Sequence, residues 1–209
     1  MSLPNVVTYN LAASSATSLV NAMAAATTIM TMATTVLDTQ RRVLLTFATD
    51  ETANTFTIVG TNQAGFAVTE AVVGVNASTT QSNLDFKTVS SITALVATGG
   101  TTSAGTNGVG SSLWQIMNWH VQPTDISCAG IVTSTSTAVV YSVEYTYDDP
   151  NNLPTSATYP IPFVHQNMNA LSSTGDALIT GPVCGVRLTI NSGTGVVRAV
   201  FTQAGIGSP

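Results

Sequence analysis

The sequence predicts an all-β protein of antiparallel strands, arranged as a β-sandwich or a jelly-roll-like fold. Three observations lead to this prediction. Short apolar segments with strand-like alternation recur along the 209 residues. Stretches rich in Gly, Asn, Thr and Ser, which favour turns, separate them. Thr, Ser, Ala, Gly and Val make up most of the chain, and the β-branched residues among them favour strands.

Residues 1–40 differ from the rest because they hold a single charged residue, Asp38, and are rich in Ala, Thr, Ser and Met. We predict a strand near residues 6–11, then a loop, then extended chain through residues 29–36. A helix over residues 16–26 is conceivable from its apolar spacing, but the flanking Thr and Ser favour extended structure. The segment is therefore predicted to be an extended N-terminal arm.

A first β module is predicted over residues 41–104. It begins with a strand at residues 43–47 and continues with a hairpin of residues 55–59 and 66–73, whose connection contains two glycines and an asparagine. One or two further strands follow in residues 86–97. The segment GGTTSAGTNGVG at residues 99–110 is predicted to be a loop and the boundary between modules.

A second β module is predicted over residues 105–209, although the two modules could pack as one domain. Residues 139–147 show the clearest alternation, with Val139, Val143 and three tyrosines on one face. Residues 186–190 and 196–201 are predicted to form an antiparallel hairpin across the loop 191–195.

The scarcity of charge narrows the function. Charged residues are 7% of the chain, against roughly a quarter in ordinary soluble domains. With five Lys or Arg and a net charge of −5, direct nucleic-acid binding is not expected. The mean hydropathy is +0.32, but no run of about 20 apolar residues predicts a membrane span. A structural or binding protein is expected rather than an enzyme.

No pattern of catalytic residues stands out. The two histidines, His120 and His165, accompany no Gly-x-Ser-x-Gly motif, and we expect them to be packing or interface residues. Glu70 and Glu144 lie on predicted strands and are the candidates for a glycosidase carboxylate pair. Alternation places both outward or at a polar edge, and the chain has few aromatic residues to hold a sugar, so an enzyme is not predicted.

No metal or cofactor is expected either. The sequence Asp148-Asp149-Pro150-Asn151-Asn152 offers oxygen ligands of the kind that Ca²⁺ accepts, but its spacing is that of a turn after a strand. Cys128 and Cys184 are too few for a disulfide framework or a zinc site with Cys ligands. We expect buried free thiols, with a disulfide as the alternative.

The candidate interaction residues are two sets of large side chains, Met23, Met30 and Met32 in the arm and Trp114 and Trp119 in the second module. Methionine adapts to irregular partner surfaces, but the three could equally pack in the core of this chain. The tryptophans could form a contact surface or anchor the core of the second module.

Five segments together resemble a group of tailed-bacteriophage virion proteins encoded among head and tail structural genes. They are RRVLLTFATDETANTFTIVGTNQAGFAVTEAVVG (41–74), LDFKTVSSIT (84–93), GTNGVGSSLWQIMNWHVQP (105–123), VVYSVEYTYDDP (139–150) and GTGVVRAVFTQAGI (193–206). The resemblance covers nearly everything after residue 40, and it implies no catalytic residues.

The resemblance implies a non-enzymatic virion protein, assembled in the host cytoplasm. The expected role is a capsid decoration (cement) subunit. Its partners would be copies of itself in a trimer and the major capsid protein, with no membrane or nucleic acid bound. The alternative is a tail adaptor, fibre or spike component that contacts tail proteins or host glycan.

Overall fold

The computed structural model describes residues 5–10, 14–120, 124–133, 138–151, 160–193 and 195–203, with the main chain alone for 5–10. These residues form antiparallel sheets and one short 3-10 helix at Gln166–Met168, which confirms the all-β prediction. The strands are β1 (Asn5–Asn10), β2 (Ser15–Met23), β3 (Val36–Phe47), β4 (Thr55–Thr61), β5 (Ala67–Val73), β6 (Thr79–Gln81), β7 (Phe86–Ala94), β8 (Thr102–Ser111), β9 (Gln115–Ile116), β10 (Ile126–Val132), β11 (Val139–Thr146), β12 (Phe163–Val164), β13 (Gly175–Ile179), β14 (Gly185–Gly193) and β15 (Val196–Gln203).

The chain divides into two compact units. The N-terminal unit contains residues 14–110, and the C-terminal unit contains residues 5–10 together with the described part of 111–203. This division differs from the predicted one, in which residues 1–40 stood apart and the modules met at 104/105. The described residues of the predicted arm belong to both units. β1 pairs with β15 of the C-terminal unit, whereas β2 pairs with β8 of the N-terminal unit.

In the N-terminal unit the strand order is β8-β3-β7-β4-β5, with β2 paired to β8 and β6 paired to β3. The predicted hairpin is confirmed as β4 and β5, which pair from Thr55 opposite Val73 to Thr61 opposite Ala67. Its turn is held by Asn62, whose Oδ1 accepts hydrogen bonds from the amides of residues 64 and 66 at 3.0 Å. Gly65 supplies the positive φ (+86°) that the turn needs.

The predicted arm is part of this fold rather than a free extension. The expected strand near residues 6–11 is β1, although Leu11 itself lies outside the described residues. Where a loop was expected, β2 forms and buries Leu19 and Val20 completely or nearly so. Residues 28–35 run extended along β7 as predicted, for example with the Met30 amide donating to the Ile92 carbonyl at 3.1 Å.

The predicted loop at residues 99–110 is mostly strand β8, which is a correction to the sequence-based prediction. A Cβ at Gly105 would overlap the Ser15 carbonyl of β2, so glycine is what lets the two main chains approach. Thr102, Ala104 and Thr106 are buried. The small residues that suggested a loop therefore serve close packing between strands.

The C-terminal unit is a β-sandwich of two sheets, β1-β15-β10-β13 and β12-β11-β14, with β9 added beside β14. Both sheets supply the core between them. The buried residues are Ile126, Cys128, Ile179, Val197, Ala199 and Phe201 from the first sheet and Val139, Tyr141, Val143, Val186, Leu188 and Ile190 from the second.

The predicted hairpin of residues 186–190 and 196–201 is wrong. β14 pairs with β11, whereas β15 pairs with β10 and β1, so the chain passes from one sheet to the other between them. The apolar faces of both strands can then meet across the core. Gly193, with φ of +81°, lies where the crossing leaves no room for a Cβ beside the Ala138 carbonyl.

Tyr141 ties the two sheets together. Its hydroxyl lies 2.9 Å from the Gly130 carbonyl of β10 and 3.0 Å from the Ser173 carbonyl. The ring fits because residue 130 is glycine, since a Cβ there would collide with it. Burial raises the pKa of Tyr141 above its ordinary value, so the hydroxyl stays protonated into more alkaline solution than a free tyrosine does.

Replacing Tyr141 by Phe should lower the free energy of unfolding by about 1–2 kcal/mol, because the buried Gly130 carbonyl and the partly buried Ser173 carbonyl lose their shared donor. Urea unfolding followed by fluorescence measures this. The matched control is Tyr147→Phe, since Tyr147 is 57% exposed, and it should change stability by less than about 0.5 kcal/mol. Equal effects of the two substitutions would contradict the assigned role of Tyr141.

Candidate interaction surfaces

The arm methionines face the interior of the N-terminal unit. Met23 and Met30 are 4% and 3% exposed and belong to its core, and Met32 packs against that core. Of the two alternatives left open by the sequence, the structure thus shows packing within this chain. In this conformation Met23 and Met30 offer no surface to a partner.

The two tryptophans are half-buried, so each keeps a face at the surface of the C-terminal unit. The guanidinium of Arg187 lies 4.6 Å from the centre of the Trp114 ring, a cation–π contact. Trp119 lies beside His120, with ring centres 5.2 Å apart. Their assignment as an interaction surface remains a prediction.

Glu144 is not at a polar edge, as the alternation of β11 suggested, but forms a buried ion pair. Its Oε2 lies 2.7 Å from Nε of Arg187, directly opposite on β14. Trp114, just before β9, covers Arg187. Glu144, which was expected to face outward, is therefore buried against Arg187, and the guanidinium of Arg187 lies over the Trp114 ring.

Glu70 also has a structural role. Its two carboxylate oxygens accept from the main-chain amides of Asn83 and Leu84 at 2.7 and 2.8 Å, just before β7. Glu70 lies in the N-terminal unit and Glu144 in the C-terminal unit. Each carboxylate is thus held by hydrogen bonds within its own unit.

Replacing Glu144 by Gln should lower the free energy of unfolding by about 3 kcal/mol, because the Arg187 charge loses its buried counter-ion. The control is Asp176→Asn, the same change on an exposed position of β13, which should have little effect. Chemical denaturation of both variants tests this. Similar stability of the two would show that the ion pair contributes nothing.

His165 is held by main-chain groups on both sides of its ring. The Nδ1 atom of His165 lies 3.3 Å from the Asn167 amide, which donates to it at the start of the 3-10 helix. Its Nε2 faces the Leu178 carbonyl at 3.3 Å. Because Nδ1 accepts from this amide, Nε2 is the ring nitrogen that can donate to the Leu178 carbonyl. His120 is exposed.

The Asp148–Asn151 segment forms the turn that the sequence favoured. Asp149 Oδ1 accepts from the Asn151 amide at 2.9 Å, and Asp148 Oδ2 accepts from the Ile161 amide at 2.8 Å. Asn152 lies outside the described residues. Among the residues that are described, no three His, Cys, Asp or Glu side chains group in a way that could hold a metal ion.

The two cysteines are free thiols, and of the two only Cys128 is buried as expected. Cys128 is buried and donates to the Ala177 carbonyl at 3.3 Å, and its burial raises the pKa of the thiol to about 11. Cys184 is half-buried, and its pKa is also raised, first by burial and then by the charges of Asp149 and Asp148.

Alkylation of the native protein at pH 8 should therefore modify Cys128 far more slowly than Cys184. A thiol pKa of about 11 leaves about a hundredfold less thiolate than the ordinary value of 9 does, and Cys128 is also buried whereas Cys184 is only half-buried. Peptide mass spectrometry after timed labelling measures the two rates, and the unfolded protein, in which both should react alike, is the control. Rapid labelling of native Cys128 would contradict this.

An aromatic cluster that the sequence analysis missed lies on the C-terminal unit. It consists of Tyr145, Tyr147, Phe163 and His165. Ring centres are 5.8 Å apart for Tyr145 and Phe163, which stack, and 5.5 Å apart for Tyr147 and Phe163. Tyr147 and Phe163 are 57% and 43% exposed. Aromatic side chains of this kind are enriched at binding surfaces.

A second surface, the threonine face, is the outward side of β4, β5 and β7 in the N-terminal unit. The strand registers align its side chains in rows across the sheet, such as Ala71–Thr57–Thr93–Ile29 and Ala67–Thr61–Thr88–Val36. None of its residues is charged and none is fully buried. They are Ile29, Val36, Thr55, Thr57, Val59, Thr61, Ala67, Thr69, Ala71, Val73, Thr88, Ser91, Thr93 and Leu95.

Comparisons with known proteins leave the family open. No protein-family model and no curated protein matches the chain. Among solved structures, the stem and receptor-binding domain of the spike protein P1 from bacteriophage PM2 aligns over 98% of both chains at 8% identity, with a TM-score of 0.19. The VP2 subviral particle of infectious bursal disease virus aligns over 96% of this chain and 71% of that one at 9% identity, with a TM-score of 0.18. At such TM-scores neither similarity carries an argument.

The described part of the chain contains no helix that is long and apolar enough to cross a membrane.

Proposed function

We propose that the protein is a non-enzymatic structural protein of a bacteriophage virion, most specifically a capsid decoration subunit that stabilises the shell through contacts between subunits. The observation that carries the proposal is the threonine face, a broad sheet surface of half-buried and exposed side chains without a charged residue. Such a face suits contact with other protein subunits better than binding of a small molecule, which favours a concave pocket.

The sparse charge of the chain supports the same conclusion. Only 7% of its residues are charged, and polar surface is supplied by hydroxyl and amide groups. Identical subunits can then crowd together without strong repulsion, and many weak contacts add up in a repetitive shell. The proposed partners are copies of the chain itself and the major capsid protein.

The side chains that were candidates for catalysis support a non-enzymatic role. Glu144 is held by Arg187, Glu70 caps main-chain amides, and His165 bonds to the main chain on both sides of its ring. Each group is engaged in holding the fold.

The aromatic cluster favours a second candidate function, a tail-associated adaptor, fibre or spike component. The exposed rings of Tyr147 and Phe163 would give a contact surface for a tail protein or a host glycan. This candidate differs from the first in location within the virion rather than in chemistry.

Counting copies of the protein in purified virions separates the two candidates. Quantitative mass spectrometry, with the major capsid protein as internal standard, should find a copy number comparable to that of the capsid protein if the chain decorates the shell. A few copies, set by the symmetry of the tail, would favour the tail function. Absence of the protein from purified particles would overturn both.

A further inference from the structure

We propose that the threonine face is where two copies of this chain pack against each other, face to face, about a two-fold axis. The inference deepens the proposed function, on which it rests, by naming the surface and the symmetry of one self-contact. Three properties of the face support the inference: its chemistry, its area and the arrangement of its apolar side chains.

The chemistry of the face is self-complementary. A threonine hydroxyl both donates and accepts hydrogen bonds, so a row of hydroxyls can bond to an identical row. The Thr61 and Thr88 hydroxyls already do this across two strands, with their oxygens 2.7 Å apart. A nucleic acid or a strongly basic partner would find no charge here to recognise, whereas a second copy meets no like-charge repulsion.

The area of the face predicts a weak dimer. Four neighbouring lanes, which are β5, β4, β7 and the stretch that carries Ile29 and Val36, lie about 4.8 Å apart. Each contributes to four cross-strand rows of side chains about 6.8 Å apart, so the face covers on the order of 500 Å². A standard stable interface buries about 800 Å² on each partner. The dimer should therefore dissociate on dilution and become permanent only where a larger assembly holds many copies.

The exposed apolar side chains lie at the margins of the face, around the hydroxyl rows. Ile29 and Val36 lie on the lane beyond β7, Val73 is on β5, and Leu95 follows the end of β7, and they are 68%, 59%, 59% and 74% exposed. Large apolar groups exposed to this degree are what a protein–protein contact removes from water. Because both copies present the same face, the contact is isologous, which gives pairs and not the trimer expected from the sequence.

The test places a charged side chain at Thr57 of β4, which lies between Ala71 of β5 and Thr93 of β7. Light scattering and analytical ultracentrifugation of the full chain should show a concentration-dependent dimer. Thr57→Lys and Thr57→Glu should each weaken it about a hundredfold through like-charge repulsion. An equimolar mixture of the two variants should restore dimers, because the charges are then opposite. A misfolded variant could not produce that restoration.

Two further variants complete the design. Ala71→Lys and Ala71→Glu repeat the charge exchange on the exposed edge strand β5, where a new side chain meets no core. The control is Ser127→Lys, at an exposed position of β10 in the C-terminal unit, which should leave the dimer intact. A monomer at all concentrations, a trimer, or a dimer that both Lys variants on the face leave unchanged would overturn the inference.

The outcome is separable from that of the proposed function. A dimer that responds to charge on the face would support this inference even if the protein were absent from purified virions. Conversely, abundant copies in virions with a strictly monomeric purified chain would support the function and overturn the two-fold contact.

Discussion

The fold depends on hydrogen bonds that pair its interior main-chain N–H and C=O groups, made with very few charged side chains. A small node in the N-terminal unit shows how this is done. Asn54, which is 2% exposed, donates to Glu51 and to the Val96 carbonyl at 3.0 Å, while its Oδ1 accepts from the Thr55 and Val96 amides. One buried side chain thus joins the start of β4 to the segment that follows β7. Without it, several main-chain groups would be left unpaired, and each such group is costly.

Hydroxyl groups do the same work elsewhere. Ser82 is fully buried, accepts from the Val43 amide at 2.9 Å and donates to the Leu84 carbonyl at 2.8 Å, and so links β3 to the turn before β7. Ser142 of β11 accepts from the Ala170 amide and from the Asn191 side chain. In this chain, hydroxyl and amide side chains pair with interior main-chain groups. Uncharged hydroxyl side chains also form the rows of the threonine face.

The sequence predicted the elements whose signals are local. The β4–β5 hairpin followed from alternation on both sides of a Gly- and Asn-containing turn, and β11 followed from its tyrosines and valines. The β14–β15 prediction failed because two adjacent apolar strands with a short glycine-rich link fit a hairpin and a crossing between sheets equally well. Which occurs depends on β11 and β10, whose pairing with them is distant in sequence.

The candidate surfaces could be recognised only from the three-dimensional structure, because they combine residues that are distant in the sequence. Alternation in β4 indicates that Thr55, Thr57 and Thr61 share a side, but only the pairing with β5 and β7 shows that the neighbouring lanes are equally uncharged. The aromatic cluster was missed because Phe163 belongs to a two-residue strand, too short for any pattern. Glu144 looked exposed because nothing local reveals that the chain before β9 folds over it.

The position of β1 has a consequence for how the protein is made. β1 leaves the ribosome long before its partner β15, since Asn5 lies opposite Phe201. The sheet that contains both cannot close until β15 has been made. Until then the edge of the nascent sandwich is unpaired, and pairings this far apart in sequence form slowly. Emergence of β15, rather than of β10 and β11, therefore sets the earliest moment at which this sheet can be native.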